Sequence, residues 1–266
     1  MSSTPSTDAE WAAQISKMKE WLPARSVSQP PIPLGIHRMI DHTLLKEPIA
    51  PEQIDTICKE AHENNFAAVC VRLGYVARAV ANLKDVPGTV VACVVGFPEG
   101  THETADKVRE AKEAVEQGAS ELDMVIKYEL LQKGMYTAVY DDIVAVRQAA
   151  PAPITLKTIV EVAKLDKDQL MAATIVCCMA GADFVKTSTG FNGGASVQHI
   201  SLMRVAADMC GRDCKIKASG GIRSAEDCVR MVKAGAQRIG TSSGVRIVTE
   251  LNEGELLEQG ASHAVS

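Results

Sequence analysis

Three lysines carry the most chemical information in this chain. Lys157, Lys186 and Lys217 each sit in a short apolar run that reads as a β-strand. Lysine is depleted in strands and is almost never fully buried without a partner. Three of them in separate strand patterns point either to an interior reaction site or to ion pairs with Asp41, Asp123 and Asp183. Two ammonium groups in one pocket disfavour each other's charge, and burial disfavours both. The pKa of one can then fall toward neutrality. A neutral amine attacks an aldehyde or ketone to give a carbinolamine and then an iminium ion. The iminium is an electron sink that permits cleavage of a neighbouring carbon–carbon bond. Such chemistry needs an acid/base close by, and Asp123 is the natural candidate.

A second constellation is made of small residues. Ser219-Gly220-Gly221 follows one strand pattern and Gly240-Thr241-Ser242-Ser243-Gly244 follows the next. Thr187-Ser188-Thr189-Gly190 follows Lys186 and adds hydroxyl donors. Backbone N–H groups in glycine-rich loops of this kind cradle phosphate.

The elements that must position these groups alternate along the chain. Strand candidates cover residues 36–41, 66–71, 90–95, 121–126, 154–159, 183–187, 215–218 and 237–240. Helical periodicity fills the gaps. The clearest case runs from Thr104 to Gln117, with Ala105, Val108, Ala111 and Val115 on one stripe and Gly118 as the stop. Others run from Ser196, a candidate N-cap, to Cys210, and from Ala225 to Lys233. Eight strands alternating with helices predict an α/β fold, a single (β/α)8 TIM barrel over 34–250. An open dinucleotide-binding sheet would need a Gly-x-Gly-x-x-Gly turn, which is missing. In a barrel the strand C-terminal ends carry function, and the loops after strands 7 and 8 often hold phosphate. Those ends offer Asp41, Cys70, Arg72, Asp123, Lys127, Lys157, Lys186 and Lys217.

Residues 1–33 read as an N-terminal helical extension. Met1–Thr7 is polar and expected to be disordered. Asp8 to Leu22 is expected to be a helix on Trp11, Ile15, Met18 and Leu22, capped by Asp8 and ended by Pro23, before a proline-rich connector, Gln29–Gly35. Residues 251–266 read as a C-terminal tail. The formal charge of −5 argues against a nucleic-acid partner. No apolar run is long enough to span a membrane, and the start lacks a secretory pattern. Eight cysteines without a C-x-x-C pair are expected to be reduced, mostly buried thiols of a cytoplasmic protein.

Several segments together resemble the deoxyribose-phosphate aldolase family. Phe184-Val185-Lys186-Thr187-Ser188-Thr189-Gly190 is similar to its Schiff-base signature. Ile40–Leu45, Val95–Gly100, Glu121–Val125 and Ile216–Arg223 resemble its strand 1, the turn after strand 3, strand 4 and strand 7, in the family's order, and the likeness covers roughly residues 36–248. It implies reversible cleavage of 2-deoxy-D-ribose 5-phosphate to D-glyceraldehyde 3-phosphate and acetaldehyde. Lys186 would be the nucleophile, Asp123 a proton donor and acceptor, and Lys217 the lysine that tunes Lys186. Asp41, Cys70 and Lys157 would lie near the substrate, with Thr187, Gly220, Gly221, Gly240, Thr241 and Ser242 toward the phosphate. No cofactor is expected and no metal, because the iminium does the work of a Lewis acid. The expected partners are the sugar phosphate and acetaldehyde, and a homodimer is allowed. Two departures stand out. Phe191 occupies the place where some members carry a base after the TSTG run, which leaves phosphate to backbone amides, loop hydroxyls and Arg223. The chain also ends at Ser266 without the tyrosine some members place there, and His263 is not taken as its substitute. Two rival readings are a sugar-phosphate isomerase using Asp41 and Asp123 as its acid/base pair, and a non-catalytic phosphosugar-binding scaffold.

Overall fold

Short runs of Val, Ile, Ala and Cys suit parallel strands that are covered on both faces. Eight such strands form: β1 (Ile40–Thr43), β2 (Ala68–Val71), β3 (Val90–Val95), β4 (Glu121–Val125), β5 (Thr155–Ile159), β6 (Phe184–Lys186), β7 (Lys215–Ser219) and β8 (Arg238–Thr241). Each pairs in parallel with the next, and β8 closes onto β1 to complete a barrel. The computed structural model describes residues 4–20 and 35–263, with side chains described through Glu253.

The helices that return the chain are α2 (Pro51–Glu63), α3 (Val76–Leu83), α4 (Thr104–Glu116), α5 (Tyr128–Gln132), α6 (Tyr136–Ala149), α7 (Lys167–Met179), α8 (Val197–Met209), α9 (Ala225–Lys233) and α10 (Gly244–His263), after an N-terminal α1 (Asp8–Lys19). Ser196 caps α8 as expected, accepting from the His199 N–H at 3.1 Å. No described helix is long and apolar enough to cross a membrane. All eight cysteines are unpaired, and all but Cys210 are buried.

Several local expectations are corrected. Residues 36–39 form a 3-10 turn, because Gly35 in the left-handed region starts a tight bend and accepts from the Arg38 N–H. Strand β1 therefore runs later than expected, to Thr43. Phe66 and Ala67 still belong to the exit from α2, where the Phe66 N–H returns to the Ala61 carbonyl. The buried stripe of α4 is Lys107, Ala111 and Ala114, with Val108 and Val115 half-buried and Ala105 exposed. A buried cation sets that rotation: the Lys107 ammonium bonds Asp142 at 2.7 Å and the Val125 carbonyl at 2.9 Å.

At the N-terminus, Thr7 rather than Asp8 caps α1, accepting from the Glu10 N–H. Ser6, expected in a disordered stretch, donates to Glu10 at 2.7 and 2.9 Å. Asp8 accepts instead from the Thr137 N–H at 2.8 Å, tying α1 to α6. Trp11 is fully buried against Tyr140, with ring centroids 5.3 Å apart. Leu22, Pro23 and residues 29–34 lie outside the described residues. Helix α10 runs through residue 250, where the barrel was expected to end.

Candidate active site

Alternation along each strand sends every second side chain inward. That rule and the register put Asp123 beside Lys157, and Lys186 beside Lys217, on neighbouring strands. Asp41, Asp123, Lys157 and Lys217 are fully buried, and Lys186 is nearly so. The three lysines converge on one carboxylate. Lys186 Nζ lies 2.5 Å and Lys217 Nζ 2.7 Å from the same oxygen, Asp123 Oδ2, while Lys157 Nζ lies 2.8 Å from Oδ1. Asp41 Oδ2 accepts from Lys217 and, at 3.2 Å, from Lys157. Glycine at 240 makes this approach feasible, since a Cβ there would sit 3.1 Å from Lys217 Cε. Cys70 brings its sulfur 3.9 Å from Asp123 Oδ2.

The ion-pair alternative is thus met for Asp41 and Asp123. Asp183 behaves differently: it pairs with Arg147 at 2.8 Å and accepts from the Leu156 N–H. Pairing does not make the three lysines equivalent, because Lys186, unlike Lys157 and Lys217, lines the cavity at the strand ends.

Electrostatics separate them further. For Lys186, burial opposes the charge, but the Asp123 carboxylate outweighs it and holds the amine above the usual lysine range. For Lys217 the balance reverses: burial, aided by repulsion from Lys157 and Lys186, pulls the amine below that range despite Asp123 and Asp41. In this arrangement, therefore, Lys217 is the amine that most readily lacks a proton. Burial disfavours the Asp123 carboxylate, yet Lys157, Lys186 and Lys217 hold it well below the usual range. Lys157 is held well above its usual range by Asp123, Asp41 and Glu121 despite burial. Burial pushes the Cys70 thiol up to about 11.

Above the cluster opens a cavity of about 240 Å³. Lys186 forms its floor. Gly220, Gly221, Gly240, Thr241 and Ser242 line the cavity, and Arg223 joins them. Asp41, Cys70, Asp123, Lys157 and Lys217 are not in that wall; they lie in the barrel interior around the Lys186 amine. Thr187 is corrected: its hydroxyl is buried, donating to the Ser219 carbonyl at 3.0 Å and accepting from the Ser219 N–H at 2.9 Å. It clamps β6 to β7 rather than facing the cavity. Lys127 also turns away, to Thr104 at 3.1 Å and Asp142 at 3.5 Å.

Other groups were not anticipated. Thr43, Leu44, Leu45 and Lys46 form the facing wall. The strand-end rule would have found them had β1 been placed two residues later. Arg72 braces that wall, donating to the Leu45 carbonyl at 2.9 Å, and its guanidinium lies 5.1 Å over the Phe97 ring. Phe97 meets Phe191 edge-on at 5.3 Å, so the aromatic that replaces a base is a half-exposed lip of the cavity. Glu161, buried with a left-handed φ of 57°, was missed as well. It accepts from the Thr189 hydroxyl at 2.5 Å and the Asn192 amide at 3.2 Å and so holds the loop after β6. No local sequence pattern marks it, because its partners lie 28 and 31 residues further along the chain.

Comparison with known proteins agrees with this geometry. Residues 36–250 match the model of the family described as DeoC/LacD family aldolase. A relative from Coccidioides immitis named deoxyribose-phosphate aldolase is 49% identical over 255 residues, 92% of this chain and 92% of its own. A crystal structure from the same species superposes with a TM-score of 0.87 at 46% identity, covering 95% of this chain and all of that one. A tetrameric deoxyribose phosphate aldolase from Aeropyrum pernix superposes at 0.75 with 31% identity, covering 82% of this chain and 91% of that one.

Proposed function

The chain belongs to the DeoC/LacD family of aldolases, and from that premise we propose that it reversibly cleaves 2-deoxy-D-ribose 5-phosphate through a Schiff base on Lys186. The observation that carries the reading is the position of Lys186. It is the lysine of the buried cluster that lines this cavity, and it shares Asp123 Oδ2 with Lys217, whose amine burial holds below the usual lysine range.

In this mechanism Lys186 passes a proton through Asp123 toward Lys217 and attacks the C1 aldehyde of the open-chain sugar. The carbinolamine loses water to become an iminium. Asp123 then takes the C3 hydroxyl proton and the C2–C3 bond breaks. Its electron pair flows into the iminium to leave an enamine, and D-glyceraldehyde 3-phosphate departs. Protonation of the enamine and attack by water release acetaldehyde and restore the amine. Asp123, held well below its usual range by the lysines around it, is a weak base at rest. At the carbinolamine stage the relayed proton sits on Lys217, beside the same oxygen, from which Asp123 returns it to the departing hydroxyl. The loop 7 and 8 backbone amides, with Arg223, suit the phosphate. Asp41, Cys70 and Lys157 complete the surroundings of the reacting atoms.

An isomerase built on Asp41 and Asp123 finds less support, because both carboxylates are saturated by cations beneath the cavity. Eight unpaired thiols suit a reducing compartment, and we place the enzyme in the cytoplasm, working as a homodimer; light scattering decides the assembly.

The test is borohydride reduction in the presence of acetaldehyde. A two-carbon adduct on Lys186, lost together with cleavage activity in a folded Lys186→Ala protein, is expected. An unmodified Lys186 rejects the Schiff-base reading.

A further inference from the structure

Seven charged side chains meet inside this barrel, and four of them are cations. β1 contributes Asp41, β4 Glu121 and Asp123, β5 Lys157, β6 Lys186, β7 Lys217 and β8 Arg238. β2 adds only the neutral Cys70 thiol, and β3 adds no charged group among the described residues. The carboxylates are all shared. Asp123 takes the three lysines; Asp41 takes Lys157, Lys217 and Arg238; Glu121 takes Lys157 and Arg238. Four cations against three carboxylates leave one positive charge over, in a space that solvates net charge poorly.

We propose that Arg238 is the positioning residue that makes one lysine amine available: as a permanent cation below the catalytic cluster, it takes up carboxylate charge and forces a proton off the linked lysines. The inference rests on the Schiff-base reading of Lys186 and adds the source of its free amine.

Arg238 suits this role on three counts. Guanidinium does not lose its proton in proteins, so any surplus proton must leave a lysine. Its contacts lie on the carboxylates that the lysines need. Nε sits 3.3 Å from Asp41 Oδ1, an ion pair without a hydrogen bond, while Lys157 and Lys217 hold the other oxygen. Nη2 sits 2.5 Å from Glu121 Oε1, while Lys157 lies 2.5 Å from Oε2, off hydrogen-bonding geometry. Finally, Arg238 does not line the substrate cavity. It rests 5.6 Å over the Phe184 ring at the opposite end of the barrel, with only 13% of its side chain exposed. Lys215 shares that ring at 5.8 Å but is half-buried and turned toward Asp213, so it stands outside the sealed group. The depression of the Lys217 amine, with Lys186 held up by Asp123, runs in the direction this charge balance requires.

Substitutions change the balance in known steps. The native cluster has four cations and three anions. Arg238→Met gives three and three, Glu121→Gln four and two, and the double variant three and two. The native surplus of one is removed, doubled and restored in turn. Two cations joined through one carboxylate lie roughly 6 Å apart, where one charge moves a neighbour's titration by about 1–2 pH units at an effective dielectric near 20.

The experiment measures kcat/KM for deoxyribose 5-phosphate, and borohydride trapping of acetaldehyde on Lys186, against pH in the native protein and the three variants. Arg238→Met is expected to move the acid limb up by about 1–2 pH units, with activity recovered in alkali. Glu121→Gln is expected to move it down, and the double variant to return it close to the native position. A purely structural role predicts that the double variant is no better than either single one; that result, or an unmoved limb, overturns the inference. If Arg238→Met does not fold, the direction of the Glu121→Gln shift decides. Trapping on native Lys186 with unmoved limbs rejects only the role of Arg238, whereas absence of native trapping rejects the Schiff-base reading beneath it.

Discussion

Asp123 Oδ2 is one atom with two amines on it, at 2.5 and 2.7 Å, and that geometry gives each member of the trio a separable defect. Asp123→Asn removes the proton path and the carboxylate that the three lysine amines share. We expect kcat to fall by roughly 10²–10⁴-fold, the range of general acid–base catalysis, with a much smaller change in KM. Steady-state kinetics check this, and an effect confined to KM contradicts the assignment. Lys217→Leu removes the amine that is held below the usual lysine range and, in the proposed relay, takes up the Lys186 proton. Lys186 would then stay protonated to higher pH under the pull of Asp123. The acid limb of the pH–rate profile should move upward with the fold intact by circular dichroism, and an unchanged profile refutes the relay.

The elements meet most tightly where the loops after β6 and β7 touch. A Cβ on Gly220, whose φ is +84°, would lie 2.7 Å from the Gly193 carbonyl oxygen and 2.9 Å from Gly194 Cα. These two loops wall the cavity as bare backbone in contact with backbone, and only glycine allows it. Gly220→Ala should push them apart and raise KM for deoxyribose 5-phosphate by roughly ten-fold or more, about the effect of losing one or two good hydrogen bonds. Acetaldehyde carries no phosphate, so borohydride trapping by the same variant should be near native. Equal losses in both assays count against a phosphate role for this wall. The glycine pairs were legible as turns. Their mutual contact was not, because it joins loops 26 residues apart whose approach depends on barrel closure.

For the whole molecule, the barrel interior is an ionic cluster where an apolar core would be simpler to bury. Its pH dependence follows from the directions of its shifts. Asp41 and Asp123 are held below the usual carboxylate range, so their contribution is complete above the unfolded value near 4 and is lost as pH falls through their folded values. Lys157 is held above its usual range, so its contribution is complete below the unfolded value near 10.4 and is lost only above its folded value. Lys217, depressed, works the other way and costs stability wherever the unfolded lysine is charged. Urea midpoints measured across pH should therefore drop below about pH 4, hold level above about pH 5, and rise on the alkaline side once pH passes the folded value of Lys217, where only the unfolded lysine still binds its proton. A midpoint that declines steadily from pH 7 to 5 contradicts the burial of these carboxylates in ion pairs.

Much of this protein was determined by sequence alone. Strand and helix periods follow from local side-chain patterns, so the eightfold alternation and the barrel were readable, and Val90–Val95 and Ala225–Lys233 fall where expected. Lys186, Lys217 and Asp123 were readable too, because charged residues in apolar strand patterns are costly without a purpose. Tertiary structure decided what depends on distance between strands far apart in sequence. It set which lysine faces the cavity, which amine burial depresses, that Thr187 clamps two strands, and that Lys46, Phe191 and Glu161 shape the mouth. Arg238 is the clearest case. In sequence it is an unremarked residue at the start of a strand. Only barrel closure brings it to Asp41 and Glu121, where its charge enters the balance around Lys186.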